Sequence, residues 1–108
     1  MAKPDNLQGA LELLILKILR RDVNHGFAIA SQIQRTSDDV LKVEAGSLYP
    51  ALHRMTEAGL LKAEWRVTEA GRRARFYELT AKGRRTLDAA EKRWLSVSAA
   101  VAKILRTA

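Results

Sequence analysis

The chain has 108 residues, room for one domain of ordinary size and not two. Hydrophobic residues make up 47% and charged residues 29%, the balance of a chain that buries a core, which excludes a disordered or fibrous protein. Nineteen basic residues against twelve acidic ones leave +7, and cysteine is absent. A polyanionic partner is therefore favoured, while disulfide frameworks, thiolate metal sites and cysteine nucleophiles are excluded.

The first predicted element is a helix from Leu7 to about Arg20. Leu7, Leu11, Leu14 and Ile18 keep helical spacing, and Leu13, Ile15, Leu16 and Leu19 fill the other faces, so it must be covered on more than one side. Its "ALELLILKIL" run carries Glu12 and Lys17 and leads into Arg20 and Arg21 rather than a small-residue cleavage site, which excludes a secretion signal. No stretch of about 18 uncharged apolar residues occurs anywhere, so neither a spanning helix nor a membrane partner is expected. A chain without cysteine fits a reducing compartment, and cytoplasmic localisation is the expectation.

A shorter second helix is predicted from Gly26 to about Thr36, with Phe27, Ile29, Ala30 and Ile33 as its apolar positions and Asn24 as its N-cap. The segment from Ser37 to Ala45 reads as a loop. A third helix runs from about Gly46 or Ser47 to Ala58 and stops at Gly59, with Leu48, Leu52 and Met55 on one face. Pro50 falls in or near its first turn, where a missing N–H costs little. The opposite direction holds Pro50, His53, Arg54 and Glu57, flanked by Ser47 and Tyr49, a mixed polar edge for something outside.

Two runs with alternating character come next: Leu61, Ala63, Trp65 and Val67, then Arg75, Tyr77 and Leu79 against Ala74, Phe76 and Glu78. "TEAGRR" between them makes a β-hairpin with a cationic tip. Trp65 is expected in the core at the hairpin's base. Between Lys62 and Arg85 eight basic residues face only Glu64, Glu69 and Glu78, so most of the excess charge is local to the hairpin and the start of the last helix.

That last predicted helix runs from about Ala81 to Arg106, N-capped by Thr80. It would span about 37 Å at 1.5 Å per residue, too long for so small a domain to bury alone. Leu87, Ala90, Trp94, Val97, Val101 and Ile104 step by three and four as coiled-coil a and d positions, and Leu95, Ala102 and Leu105 widen the stripe. With Leu11, Leu14 and Ile18 of the many-sided first helix, these six positions form an expected homodimer interface.

The order of helix, helix, helix, hairpin and helix is the winged helix-turn-helix layout: mainly α with a small β-hairpin, plus a long C-terminal dimerisation helix. Residues 1–80 make the DNA-binding unit and 81–108 the dimerisation helix of one compact domain. In such a layout the third helix enters the major groove of double-stranded DNA while the wing lies across phosphates or the adjacent minor groove.

The segments "HGFAIASQIQ", "GSLYPALHRMTEAGLL" and "GRRARFYELTAKGR" resemble, in that order, the second helix, the third helix with its exit, and the wing of PadR-type transcriptional regulators. The resemblance covers roughly Leu7 to Leu87 and implies a dimeric repressor of the short type, whose C-terminal helix pairs with the partner's N- and C-terminal helices. Carried over by position, the DNA-facing candidates are Ser47, Tyr49, Pro50, His53 and Arg54 on the third helix and Arg72, Arg73 and Arg75 on the wing. Each has a plainer reading beside it. Tyr49 can pack the helix against the wing, His53 can be simply exposed, Arg54 can pair with Glu57, and Arg75 can bridge to Glu64 or Glu69. Some members of the family hold planar aromatic ligands between subunits, so Trp94 and Val97 are candidate effector contacts. A tryptophan that only fills the dimer core is the simpler account of Trp94.

Other classes fit less well. His25 and His53 lie on different helices without an orienting carboxylate nearby in sequence, and no phosphate loop or paired-carboxylate motif occurs, so no enzyme, cofactor or metal site is expected. His25 reads instead as a cap or packing residue at the start of the second helix. The alternative function is a protein interaction module that uses the long helix for docking, with no specific DNA binding.

Overall fold

A computed structural model describes residues 10–107. Helix α1 (Leu11–Arg21), strand β1 (Asn24–His25), helices α2 (Gly26–Thr36) and α3 (Ala45–Glu57), strands β2 (Leu61–Val67) and β3 (Arg73–Leu79), and helix α4 (Ala81–Arg106) succeed one another. The chain is mainly helical with a small antiparallel sheet, as the pattern predicts. The expected start of the first helix at Leu7 lies outside the described residues.

The core forms where four apolar faces meet. Ile15, Leu16 and Leu19 of α1, Ile29 and Ile33 of α2, Leu48, Leu52 and Met55 of α3, and Leu61, Tyr77 and Leu79 of the sheet are all buried in one cluster. The first helix is covered by α2, α3, β3 and α4, which explains why its leucines occupy nearly every face. Leu11 and Leu87, expected at a subunit interface, are instead buried in the chain's own core. The first turn of α1 and the second turn of α4 pack inward before the latter helix leaves the body.

The hairpin pairs Leu61 with Leu79 at its base and Val67 with Arg73 near its tip. Gly71 closes the turn at φ +82, and its N–H donates to the Thr68 carbonyl at 2.9 Å. A third strand joins on the other edge, where Asn24 pairs with Tyr77 and His25 with Phe76, giving the order β1-β3-β2. Sequence alternation cannot reveal a strand two residues long. The same strand corrects the cap of α2. Asn24 is held in the sheet, and His25 takes the N-cap, its Nδ1 accepting the Ala28 N–H at 3.4 Å.

Helix α3 begins at Ala45, earlier than predicted, so Pro50 stands in its second turn rather than its first. The missing amide leaves the Gly46 carbonyl without its helical partner, at an exposed position where water can serve it. Gly59 at φ +80 ends the helix as expected. Thr80 caps α4 through its Oγ1, which accepts the Gly83 N–H at 3.0 Å and donates toward the Gly59 and Leu60 carbonyls at 2.7 and 3.0 Å. Lys82 Nζ adds a bond to the Ala58 carbonyl at 2.8 Å. The start of α4 is thereby fastened to the end of α3.

Candidate nucleic-acid interface

The third helix presents two sharply different faces. Leu48, Ala51, Leu52 and Met55 are buried, while Tyr49, Pro50, His53 and Arg54 are exposed and Ser47 is partly so. Burial of the apolar face fixes the helix axially, and the polar edge is what remains for a partner. Arg54 does not pair with Glu57. Its Nη2 reaches Glu12 of α1 at 3.3 Å, and both side chains stay substantially solvated, so the pair is weak and can be exchanged for another.

On the hairpin the core-facing side changes character along its length. Leu61, Leu79 and Tyr77 are buried at the base, and two residues further out the same side carries Trp65 opposite Arg75, then Val67 opposite Arg73. Trp65 is not a core residue: it is 57% exposed. The hairpin has left the body by that point, and among the described residues no neighbouring element covers the indole. Arg73 and Arg75 stand over its ring at 5.1 and 6.0 Å. Arg75 makes no bridge to Glu64 or Glu69, because Glu64 lies on the opposite side of the hairpin, facing Phe76, where it bonds Arg66 at 3.1 Å. Among the described residues Arg72, Arg73 and Arg75 have no carboxylate partner, whereas Arg66 does.

Between wing and helices lies an open cleft of about 430 Å³, bounded by Gly26, Phe27, Tyr49, Trp65, Arg73 and Arg75. Phe27 is 74% and Tyr49 48% exposed, so the cleft is edged with aromatic rings and floored by Tyr77. Burial pushes the Tyr77 phenol above its ordinary range, with Arg75 pulling it down and Tyr49 pushing it up. Tyr49 sits directly over Gly26. A methyl added there would meet the Tyr49 ring at 2.7 Å, so the glycine of the "HGF" segment makes room for that ring. Sequence reading missed both the cleft and the part of Phe27, which looked like an apolar helix position. His25 packs edge-on against Phe76 at 5.2 Å.

A second opening, of about 300 Å³, lies between α1 and α4, and Leu13, Leu14, Lys17, Glu91, Trp94 and Leu95 line it. Trp94 belongs to it, and Val97, a turn further along, does not. Beyond Leu87 the apolar stripe of α4 is uncovered: Trp94, Leu95, Val97, Val101, Ile104 and Leu105 are exposed. Leu14, Ile18 and Ala90 are partly buried beside it. Among the described residues no group of three or more His, Asp or Glu side chains could hold a metal ion, and no helix is long and apolar enough to cross a membrane.

Three packed helices, a cation-tipped hairpin and an exposed polar helix edge whose Tyr49 lines the hairpin's cleft define a winged helix-turn-helix DNA-binding protein. The profile described as the Transcriptional regulator PadR-like family matches residues 15–89, and the chain belongs to that family. It is a transcriptional regulator and not an enzyme. A crystal structure of a PadR-like transcriptional regulator from Bacillus cereus superposes with a TM-score of 0.81 at 27% identity, covering 94% of this chain and 97% of that one. A PadR family regulator from Eggerthella lenta matches at 0.76 and 31% identity, over 94% and 86% of the two chains. A transcriptional regulator from Clostridium thermocellum, 21% identical over 93% and 97%, shares the fold at 0.84. No curated protein matches the chain.

Proposed function

We propose that this regulator is a homodimeric repressor that binds a pseudo-palindromic operator. In this reading Ser47, Tyr49, Pro50, His53 and Arg54 meet base edges and phosphates in the major groove, and Arg72, Arg73 and Arg75 of the wing hold the adjacent backbone. The observation that carries it is the shared cleft: Tyr49 at the exposed edge of α3 lines one concavity with Arg73 and Arg75 of the wing, which have no carboxylate partner among the described residues. Residues 1–80 act as the reading unit, and α4 joins two chains through Ala90, Trp94, Val97, Val101 and Ile104, with Leu14 and Ile18 of α1 at its flank. Repression is the role that the family resemblance implies. Release by a small planar aromatic effector fits the apolar opening beside Trp94, whose lining is hydrophobic apart from Lys17 and Glu91.

Selection from a random-sequence duplex pool tests the reading. The expected product is a two-fold site whose halves lie about one helical turn apart, or a multiple of it. Affinity for it should fall by about a thousandfold or more between 50 and 200 mM salt, since several phosphates are neutralised per subunit. No enriched sequence together with a flat salt response would turn the reading toward a protein interaction module.

A further inference from the structure

The exposed tryptophan of the wing has no packing role that accounts for it. Trp65 is in register with Arg75 and two positions inward of the Val67–Arg73 pair on the same side, and both guanidiniums stand over its ring. Arginine on a two-stranded ribbon ordinarily samples many rotamers, and a phosphate contact must freeze one of them. A guanidinium resting over an indole face is already restricted, and its in-plane N–H donors stay free for a bidentate phosphate contact. The opposite side of the hairpin shows the contrast. There Arg66 also lies over a ring, that of Phe76 at 5.5 Å, but it is spent on Glu64 at 3.1 Å.

Resting on the DNA-binding reading above, we infer that Trp65 is the positioning residue of the wing: its indole aligns Arg73 and Arg75 on the side facing Tyr49, so that both meet one run of DNA backbone. Trp65 acts through the arginines and not by touching a base. The aromatic character of position 65 is what matters, because only a π face holds two cations without neutralising them.

The test uses the full chain and the duplex that the wild type selects, with affinity measured across a salt series. Trp65→Ala should weaken binding by about tenfold, the worth of two exposed cation–π contacts. It should also lower the slope of log affinity against log salt by about one phosphate equivalent or more. Trp65→Phe should restore most of both, and Trp65→Leu, which keeps apolar volume without a π face, should not. In a background already carrying Arg73→Ala and Arg75→Ala, Trp65→Ala should have little further effect.

Wild-type affinity from Trp65→Ala or from Trp65→Leu overturns the inference, as does a full loss that persists when both arginines are gone, which would mean that the indole touches DNA itself. Circular dichroism checks folding of each variant, and the leucine variant carries the test should alanine unfold the hairpin. Failure of the DNA-binding reading looks different: the wild type itself then shows no salt-dependent binding, whatever stands at position 65.

Discussion

Arg54 gives its guanidinium to Glu12 on α1 at 3.3 Å while standing on the exposed edge of α3. A solvated pair of this kind is worth about 0–1 kcal/mol, less than a charge-assisted contact to phosphate or a bidentate contact to guanine. In the proposed complex a docked duplex therefore takes Arg54 from Glu12 at little cost. Arg54→Ala should lower stability by under about 1 kcal/mol in urea denaturation yet weaken operator binding by about five- to thirtyfold. If it reads a base, preference at one operator position should relax as well. Equal affinity for wild type and variant would confine Arg54 to its bond with α1. That bond was invisible in the sequence, because Glu12 lies 42 residues away and only Glu57 was within helical reach. Thr80 was legible for the opposite reason: its partner, Gly83, is three residues on, and a cap is a local geometry.

Local signals were strongest for whole elements. Helices α2 and α4 run as their patterns predict, and the hairpin obeys its alternation, since each is specified by side chains repeating along one segment. The junction of α3, β2 and α4 is different in kind. Gly83 is buried, and an added methyl would run into the Leu79 side chain and the Leu60 carbonyl oxygen, the latter a backbone atom that cannot give way without shifting the turn between α3 and β2. Nothing in the "TAKGR" segment announces this approach. Gly83→Ala should destabilise the fold by about 1–3 kcal/mol or more, which for a domain of this size lowers Tm by roughly 4–8 °C per kcal/mol. Calorimetry measures that loss. A variant melting like wild type would mean that α4 slides along β2 without resistance.

At the scale of the molecule, the radius of gyration of 15.2 Å exceeds the roughly 13 Å of a compact chain this long, and the long axis reaches 55 Å against 28 Å across. The far end of α4 accounts for the difference, carrying Val97, Val101, Ile104 and Leu105 into solvent. An apolar stripe of that extent on an otherwise charged protein marks an interaction surface. Val97→Glu places a carboxylate in the proposed seam of each chain and should weaken self-association by about a hundredfold or more, because unpaired buried charges cost several kcal/mol. Sedimentation should then report monomers at concentrations where wild type is dimeric; an unchanged dimer refutes the register. The residue is exposed in the single chain, so folding should be unaffected. By itself the sequence determined the order of the helices and the hairpin, the family, the polar edge of α3 and the amphipathic stripe of α4, since these rest on periodicity and short motifs. Only the tertiary structure decided that Leu11 and Leu87 close the chain's own core, that Trp65 stands in the open under two arginines, and that Tyr49 and the wing share a cleft. Those are matters of which surfaces meet across long sequence separations, and a repeating pattern says that a face must be buried without saying against what. The +7 of the whole chain acquired its meaning the same way, once three of its arginines stood on the wing without a carboxylate partner among the described residues, two of them across the cleft from Tyr49 of α3.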